Sequence, residues 1–226
     1  MELSIIVPVL DEAALIGPAL ARLRAVAPAA ELIVADGGSE DGTAEAAARH
    51  ARVLTAPRGR ARQLNAGAAS AGGEWLLFLH ADTVLPPDFA QGIALAAARG
   101  YRAGAYRLRI AGEHPLLPLL AWGATQRTRW RGIALGDQGL FCTRGLFTEQ
   151  GGFPEQPLME DYEFVLRLRR RGERLFLAPQ AVTTSGRRWD RGGFWRTWWQ
   201  MRRIYRAYDA DPAAAEALAR SYRPVR

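Results

Sequence analysis

Four polar clusters carry residue types that could do chemistry on a phosphorylated substrate. The first joins Pro8-Val9-Leu10-Asp11-Glu12 to Asp36-Gly37-Gly38-Ser39-Glu40-Asp41-Gly42-Thr43. Asp36 closes an apolar run, where a carboxylate can accept hydrogen bonds from a base N–H or a ribose hydroxyl. The glycines after it let backbone approach a ligand or take positive φ. The competing reading is architectural, with Asp36 filling a turn and Asp41 capping the helix that follows. The second cluster is Arg58-Gly59-Arg60-Ala61-Arg62-Gln63-Leu64-Asn65-Ala66-Gly67. Arginine offers phosphate oxygens a planar fork, and a helix start adds free N–H groups. A solvated basic helix face is the alternative.

The third cluster is His80-Ala81-Asp82 at the end of another apolar run. Asp82 could hold a hard divalent cation that bridges a diphosphate. His80 could be a second ligand, a donor contact or a hydrogen-bonded core histidine. The fourth is Gly151-Gly152-Phe153-Pro154 followed by Met159-Glu160-Asp161-Tyr162-Glu163. Acids opening a helix complement its dipole. A carboxylate there could also take the proton of an acceptor hydroxyl, a role typically worth about 10²–10⁴-fold in rate.

The elements between the clusters explain how they could meet. Residues 3–8, 31–36, 52–55 and 74–79 read as short buried strands, and 12–26, 43–50, 61–71 and 86–99 as helices. This alternation predicts a doubly wound, mostly parallel α/β sheet. Ligands bind beyond the carboxyl ends of such strands, where all the N-terminal clusters fall. The second half mixes strands at 105–110, 139–143 and 175–177 with helices at 115–130, 159–171 and 193–208, then a short Ala-rich helix from residue 212. The expected organisation is a single domain: a nucleotide-binding half over 1–100, an acceptor half over 101–190 and amphipathic C-terminal helices over 191–226.

The chain has 226 residues, enough for a core without disulfides, and its one cysteine excludes an intrachain bridge. Its formal charge of +7 comes from arginine alone, since no lysine is present. A basic balance favours anionic partners without choosing among them. No dinucleotide fingerprint follows the first strand, and a Walker loop would need a lysine. No recognised nucleic-acid motif accompanies the charge. The N-terminus lacks the pattern of a signal peptide, and no apolar stretch reaches the ~20 residues of a spanning helix. The expectation is a cytoplasmic protein that could touch the inner face of the membrane through the aromatic, basic stretch from Phe194 to Tyr205. Core packing with snorkelling arginines is the alternative for that stretch.

Taken in this order, the clusters resemble the family 2 glycosyltransferases of GT-A fold. The similarity is greatest to a bacterial subgroup with R-G-R-A-R-Q-x-N-x-G and H-A-D-T segments. The resemblance implies a Rossmann-like nucleotide-binding half and a mixed acceptor-side half. It implies that Pro8, Glu12, Asp36 and Gly37 contact the nucleotide of a UDP- or GDP-sugar, with Arg58 and Arg60 at its phosphates. Asp82, with His80, would hold Mg²⁺ or Mn²⁺, and Asp161 would be the base, with Glu160 as neighbour or alternative. Gly152 and Phe153 would lie on the acceptor side. The reaction would invert the anomeric carbon, with an acceptor that could be lipid-linked. Three departures stand out. His80 replaces the first acid of the family's D-x-D element, Thr83 follows Asp82, and Arg187-Arg188-Trp189 with Gln200-Met201-Arg202-Arg203 only echo the Q-x-x-R-W element of polymerising relatives. Two rivals remain: a nucleotidyltransferase, which would want a Gly-rich basic loop after the first strand, and a non-enzymatic binder of phosphate or membrane surface.

Overall fold

In the computed structural model, which describes residues 1–221, seven strands form one continuous sheet in the order β3-β2-β1-β4-β6-β5-β7. β1 (Leu3–Val9), β2 (Glu31–Asp36), β3 (Arg52–Thr55) and β4 (Trp75–Phe78) run parallel. β6 (Leu140–Thr143) is antiparallel to both β4 and β5 (Ala103–Ala111), and β7 (Leu175–Ser185) lies parallel to β5. The strands are apolar on both faces because helices cover both. Ile5 and Val7 of β1 face a core shared with α1 (Ala13–Val26) and α4 (Phe89–Ala98). Ile6, pointing the other way, joins α3 (Arg60–Ser70), α6 (Arg144–Glu149) and α7 (Glu160–Arg170). The short α2 (Thr43–Ala48) returns the chain from β2 to β3.

The second half of the chain hangs two long helices over the carboxyl edge of this sheet. α5 (Leu117–Arg131) follows β5, and α9 (Phe194–Ala210) follows β7 through the short α8 (Arg187–Gly192). α9 packs on α7 through Ile204, Tyr208, Tyr162 and Met159. The Tyr162 hydroxyl donates to Asp209 Oδ1 at 2.7 Å. A last helix, α10 (Ala215–Ser221), closes the described chain. The helices expected over 191–226 are met by α9 and α10, α8 was not expected, and 222–226 lie outside the described residues.

Two other elements depart from the sequence reading. β7 runs to Ser185 rather than ending near residue 177, because the sheet absorbs Pro179-Gln180 in a bulge opposite Tyr106 and Arg107. α6 stands where no helix was expected; the Thr143 side chain caps it by accepting from the Leu146 N–H.

α3 lies unusually close to β1, and Gly67 makes that possible. A Cβ at this position would come within 2.5 Å of Ile6 Cγ2, inside a fully buried strand. Gly67→Ala is therefore expected to lower stability by about 1–3 kcal/mol through overpacking. Urea unfolding checks this, and an unchanged midpoint would show that α3 can shift freely.

Candidate active site

The carboxyl edge of β1 and β2 is knitted by a side chain from α3. Gln63, almost fully buried, donates from Nε2 to the carbonyls of Val9 at 2.6 Å and Ala35 at 2.9 Å. Its amide fills the space beside Gly37, where a Cβ would sit 3.0 Å from Gln63 Nε2. Asp36 lies at this edge, but its carboxylate is turned into its own turn. Oδ2 accepts the N–H groups of Gly38 at 3.1 Å and Ser39 at 3.0 Å, and Oδ1 accepts the Ser39 hydroxyl. Asp41 is likewise architectural, accepting from Ala13 N at 3.0 Å and Thr43 N at 3.0 Å, so it braces the starts of α1 and α2. Glu12 opens α1, its N–H donating 2.7 Å to Thr43 Oγ1. Asp11, with φ of +53°, makes the sharp exit from β1.

Asn65 does a similar job on the other side of α3. Its Nδ2 donates to the Phe153 carbonyl at 2.8 Å, and its Oδ1 accepts the Phe153 N–H at 2.9 Å. Gly152 takes φ of +70°, and a Cβ there would meet Asn65 Oδ1 at 2.8 Å. The Phe153 ring is buried against Phe78, Phe147 and Phe164. The loop of Gly152 and Phe153, expected on the acceptor side, is clamped to α3, and the Phe153 ring belongs to the core.

Beyond β4 and under α5 and α9 lies a cleft of about 590 Å³. Arg60, His80, Asp82, Asp137, Asp161, Arg187, Arg188 and Trp189 line its polar side. Apolar walls come from Leu108, Leu120, Leu135, Met201, Ile204 and Tyr205. The structure therefore brings together Arg60, His80, Asp82 and Asp161 from separated stretches. Pro8, Glu12, Asp36, Gly37 and the exposed Arg58 gather at the neighbouring strand ends and do not line this cleft.

Glu160 is only 1% exposed and forms an ion pair with Arg60. Burial raises its carboxyl above the usual range, against the pull of Arg60. It is not among the residues that line the cleft. Asp161 does reach the cleft. Its Oδ2 accepts the Gly136 N–H at 2.7 Å and its Oδ1 the Tyr162 N–H at 2.7 Å. The acids follow Met159, whose φ of +66° is unusual for a non-glycine residue. Strain of this kind concentrates at functional sites.

Burial, aided by the Arg60 guanidinium, lowers His80 to about 4, so its imidazole is neutral at physiological pH. A neutral imidazole can ligate a cation or hydrogen-bond a ligand. Asp82 has a loose ion pair with Arg187, Nη2 to Oδ2 at 3.5 Å. Among the described residues no cluster of three or more His, Cys, Asp or Glu side chains could enclose a metal. Asp82 with His80 suits instead a cation that arrives with diphosphate oxygens as most of its ligands, as Mg²⁺ commonly does.

Asp137 escaped the sequence reading. It sits in the 3₁₀ turn Gly136–Gln138, anchored by the buried Gln138, whose Nε2 donates to the Tyr106 carbonyl at 3.1 Å. Its local signal, Gly-Asp-Gln-Gly, looks like an ordinary turn. Arg187, Arg188 and Trp189, discounted because their spacing departs from the Q-x-x-R-W element, also face the cleft.

Comparison with known proteins agrees with this geometry. The sequence profile of glycosyl transferase family 2 matches residues 4–128, more than half of the chain. The chain belongs to glycosyl transferase family 2. No curated protein matches the sequence at a significant level. Solved structures share the GT-A fold. A mannosyltransferase from Pyrobaculum calidifontis, in complex with GDP-Man and Mn²⁺, is 21% identical with a TM-score of 0.69, covering 96% of this chain and 68% of its own. S. aureus TarS 1–349 with UDP-GlcNAc is 17% identical, TM-score 0.67, covering 83% of this chain. Glucosyl-3-phosphoglycerate synthase from Mycobacterium tuberculosis, with Mn²⁺, UDP and phosphoglyceric acid, is 22% identical, TM-score 0.59, covering 80% and 69%. This family 2 chain spans 59% of the length of that TarS structure. Among the described residues no helix is long and apolar enough to cross a membrane.

Asp137 gives a pH test of the site's electrostatics. Burial lifts its carboxyl from 3.8 to about 6, opposed by Arg127 and reinforced by Asp161. The folded state thus binds this proton more tightly than the unfolded chain. Its contribution to stability is greatest below the ordinary carboxylate range and is lost as pH rises to about 6. Asp137→Asn should therefore melt above wild type at about pH 8, with the difference shrinking toward about pH 4.5. A pH-independent difference would remove the assignment.

Proposed function

We propose that this family 2 chain transfers a sugar from a nucleoside-diphosphate sugar to an acceptor, with inversion at the anomeric carbon. One observation carries the reading: Asp82, Asp161, Arg187 and Arg188 converge on a single cleft at the carboxyl edge of the sheet. The nucleotide would lie over the strand ends near Pro8, Glu12, Asp36 and Gly37, with the diphosphate reaching toward Asp82. Asp82, with neutral His80, would hold Mg²⁺ or Mn²⁺, which when bound offsets the charge of the leaving diphosphate. Arg187 and Arg188 supply fixed positive charge to the same oxygens, and Arg58 can add to it from the rim. Arg60 is already neutralised by Glu160 and serves mainly to position it.

Asp161 accepts the proton of the attacking group as the new bond to the anomeric carbon forms and the bond to the phosphate oxygen breaks. The Gly136 and Tyr162 N–H groups fix its carboxylate, so little reorganisation accompanies the reaction. The neighbours were solved in complex with GDP-Man, UDP-GlcNAc or UDP, which supports a UDP- or GDP-sugar here. A thermal-shift and hydrolysis screen of both donor types, with Mn²⁺ and with chelator, tests the class. Asp161→Asn should keep donor-induced stabilisation yet lose about 10²–10⁴-fold in turnover. Full turnover in that variant would remove the base assignment.

The reading extends to where the acceptor is met. Trp195 and Trp199 on α9, and Trp122 and Trp130 on α5, are 56–80% exposed beside the cleft's two helical walls. Arg196, Arg202 and Arg203 accompany the α9 pair, as on interfacial helices. This supports a peripheral contact with an anionic membrane face. Flotation with phosphatidylglycerol vesicles should recover the wild-type protein and lose most of a Trp195→Ser/Trp199→Ser variant. Equal recovery of both would reject the contact.

A further inference from the structure

Two acids of the cleft have no part in the reading above, and one of them, Asp209, accepts the Tyr162 hydroxyl. The other is Asp137. Among the described residues its carboxylate has neither a hydrogen bond nor an ion pair: Oδ1 is buried, while the half-buried residue lines the cleft. A buried carboxylate oxygen without a partner carries a cost, and such an orphan beside a cleft calls for a functional explanation. Its neighbours do not supply the partner. Arg127, the nearest cationic influence, spends Nε on the Ile133 carbonyl at 3.1 Å and Nη2 on Gln138 Oε1 at 3.2 Å.

The position is equally specific. Asp137 follows Gly136, whose N–H is held by Asp161, and a Cβ on Gly136 would meet His80 Nε2 at 2.8 Å and Asp161 Oδ2 at 3.1 Å. The turn is wedged between the two, so the Asp137 and Asp161 carboxylates belong to one rigid unit. That unit lies on the side of β5 and β6, away from the strand ends of β1 and β2 where a nucleotide would lie. A hydroxyl carries one proton, and its transfer to one carboxylate leaves nothing for a second to accept. If Asp161 receives that proton, Asp137 needs a different hydrogen-bond donor on the same molecule.

We propose that Asp137 is an acceptor-binding residue that takes a second hydroxyl or an amino group next to the reacting hydroxyl, so that the acceptor is a diol, polyol or amino alcohol. This rests on the transferase reading. A monohydric alcohol would leave the Asp137 carboxylate unanswered, and a phosphate oxygen as nucleophile would bring it no proton. Asp137 is thereby a specificity determinant rather than a second base: the reacting proton still goes to Asp161, and the sugar leaves its phosphate for the acceptor oxygen.

The test pairs 1-propanol with 1,2-propanediol and 1-amino-2-propanol as surrogate acceptors, with a donor that stabilises the wild-type protein. Product is read by mass spectrometry. Wild type should favour the bifunctional acceptors by at least about tenfold, the worth of one charge-assisted hydrogen bond. In Asp137→Asn and Asp137→Ser that preference should collapse toward unity through a higher KM, while thermal stabilisation by the donor persists. Equal use of the alcohols by wild type, transfer to none of them, or an undiminished preference in both variants would overturn the proposal. So would weaker Mn²⁺ binding in the variants, which would make Asp137 a cation ligand. Absence of stabilisation or hydrolysis with every UDP- and GDP-sugar would instead defeat the transferase reading itself, and the inference with it.

Discussion

The ion pair between Arg60 and Glu160 is the constraint on which the site depends. It joins the start of α3 to the start of α7, a hundred positions apart in sequence. Glu160 is nearly inaccessible, and an unpaired buried carboxylate would cost several kcal/mol by typical estimates. With Arg60 in place the acid can stay beneath the cleft, and the first turn of α7 is fixed. That turn carries Asp161, and Met159 bends the chain into it through a left-handed backbone. The pair thus positions a carboxylate that neither half could hold alone. It also occupies the Arg60 Nε, although Arg60 still lines the cleft together with Arg187 and Arg188.

The same division of labour runs through the Arg58–Gly67 segment. Its residues were legible as a phosphate-binding motif because arginine and a helix start suggest anions. Most of its polar side chains instead hold the fold. Arg62 pairs with Glu155 at 3.1 Å, Gln63 bridges two carbonyls at the sheet edge, and Asn65 clamps the Gly152-Phe153 loop. Gln63 and Gly67, one helical turn apart, both face β1 and β2. Spacing of this kind also reflects what α3 must touch on two sides.

The order of strands and helices in the first half could be read because buried parallel strands are short apolar runs that end in polar turns. The sheet order beyond β4 could not. β6 enters antiparallel between β4 and β5, and nothing local to Leu140–Thr143 specifies its neighbours. The long β7 was hidden by a proline that a bulge accommodates. In the site, Asp82 and Asp161 were visible as acids at element ends, and the structure puts both in the cleft. Asp36 occupied the expected strand end, but its carboxylate serves its own turn. Asp137 was invisible for the opposite reason. Its turn is unremarkable in sequence, and its place at the cleft comes from the packing of Gly136 against His80 and Asp161.

The cleft's charge arrangement limits what can fill it. Its floor carries Asp82, Asp137 and Asp161, while Arg187 and Arg188 come from the α8 strap, and Arg187 reaches Asp82 only loosely. Arg60, Arg127, Arg131, Arg202 and Arg206 line the cleft as well, so it offers partners to both signs of charge. A ligand bearing both signs, a cation held against a diphosphate, meets both sets at once and frees Arg187 for the phosphate oxygens. The apolar walls from α5 and α9 then exclude water from those pairs, where their interaction is strongest. A chain with an overall charge of +7 can therefore keep an acidic floor, because its arginines are arranged around the floor rather than neutralising it.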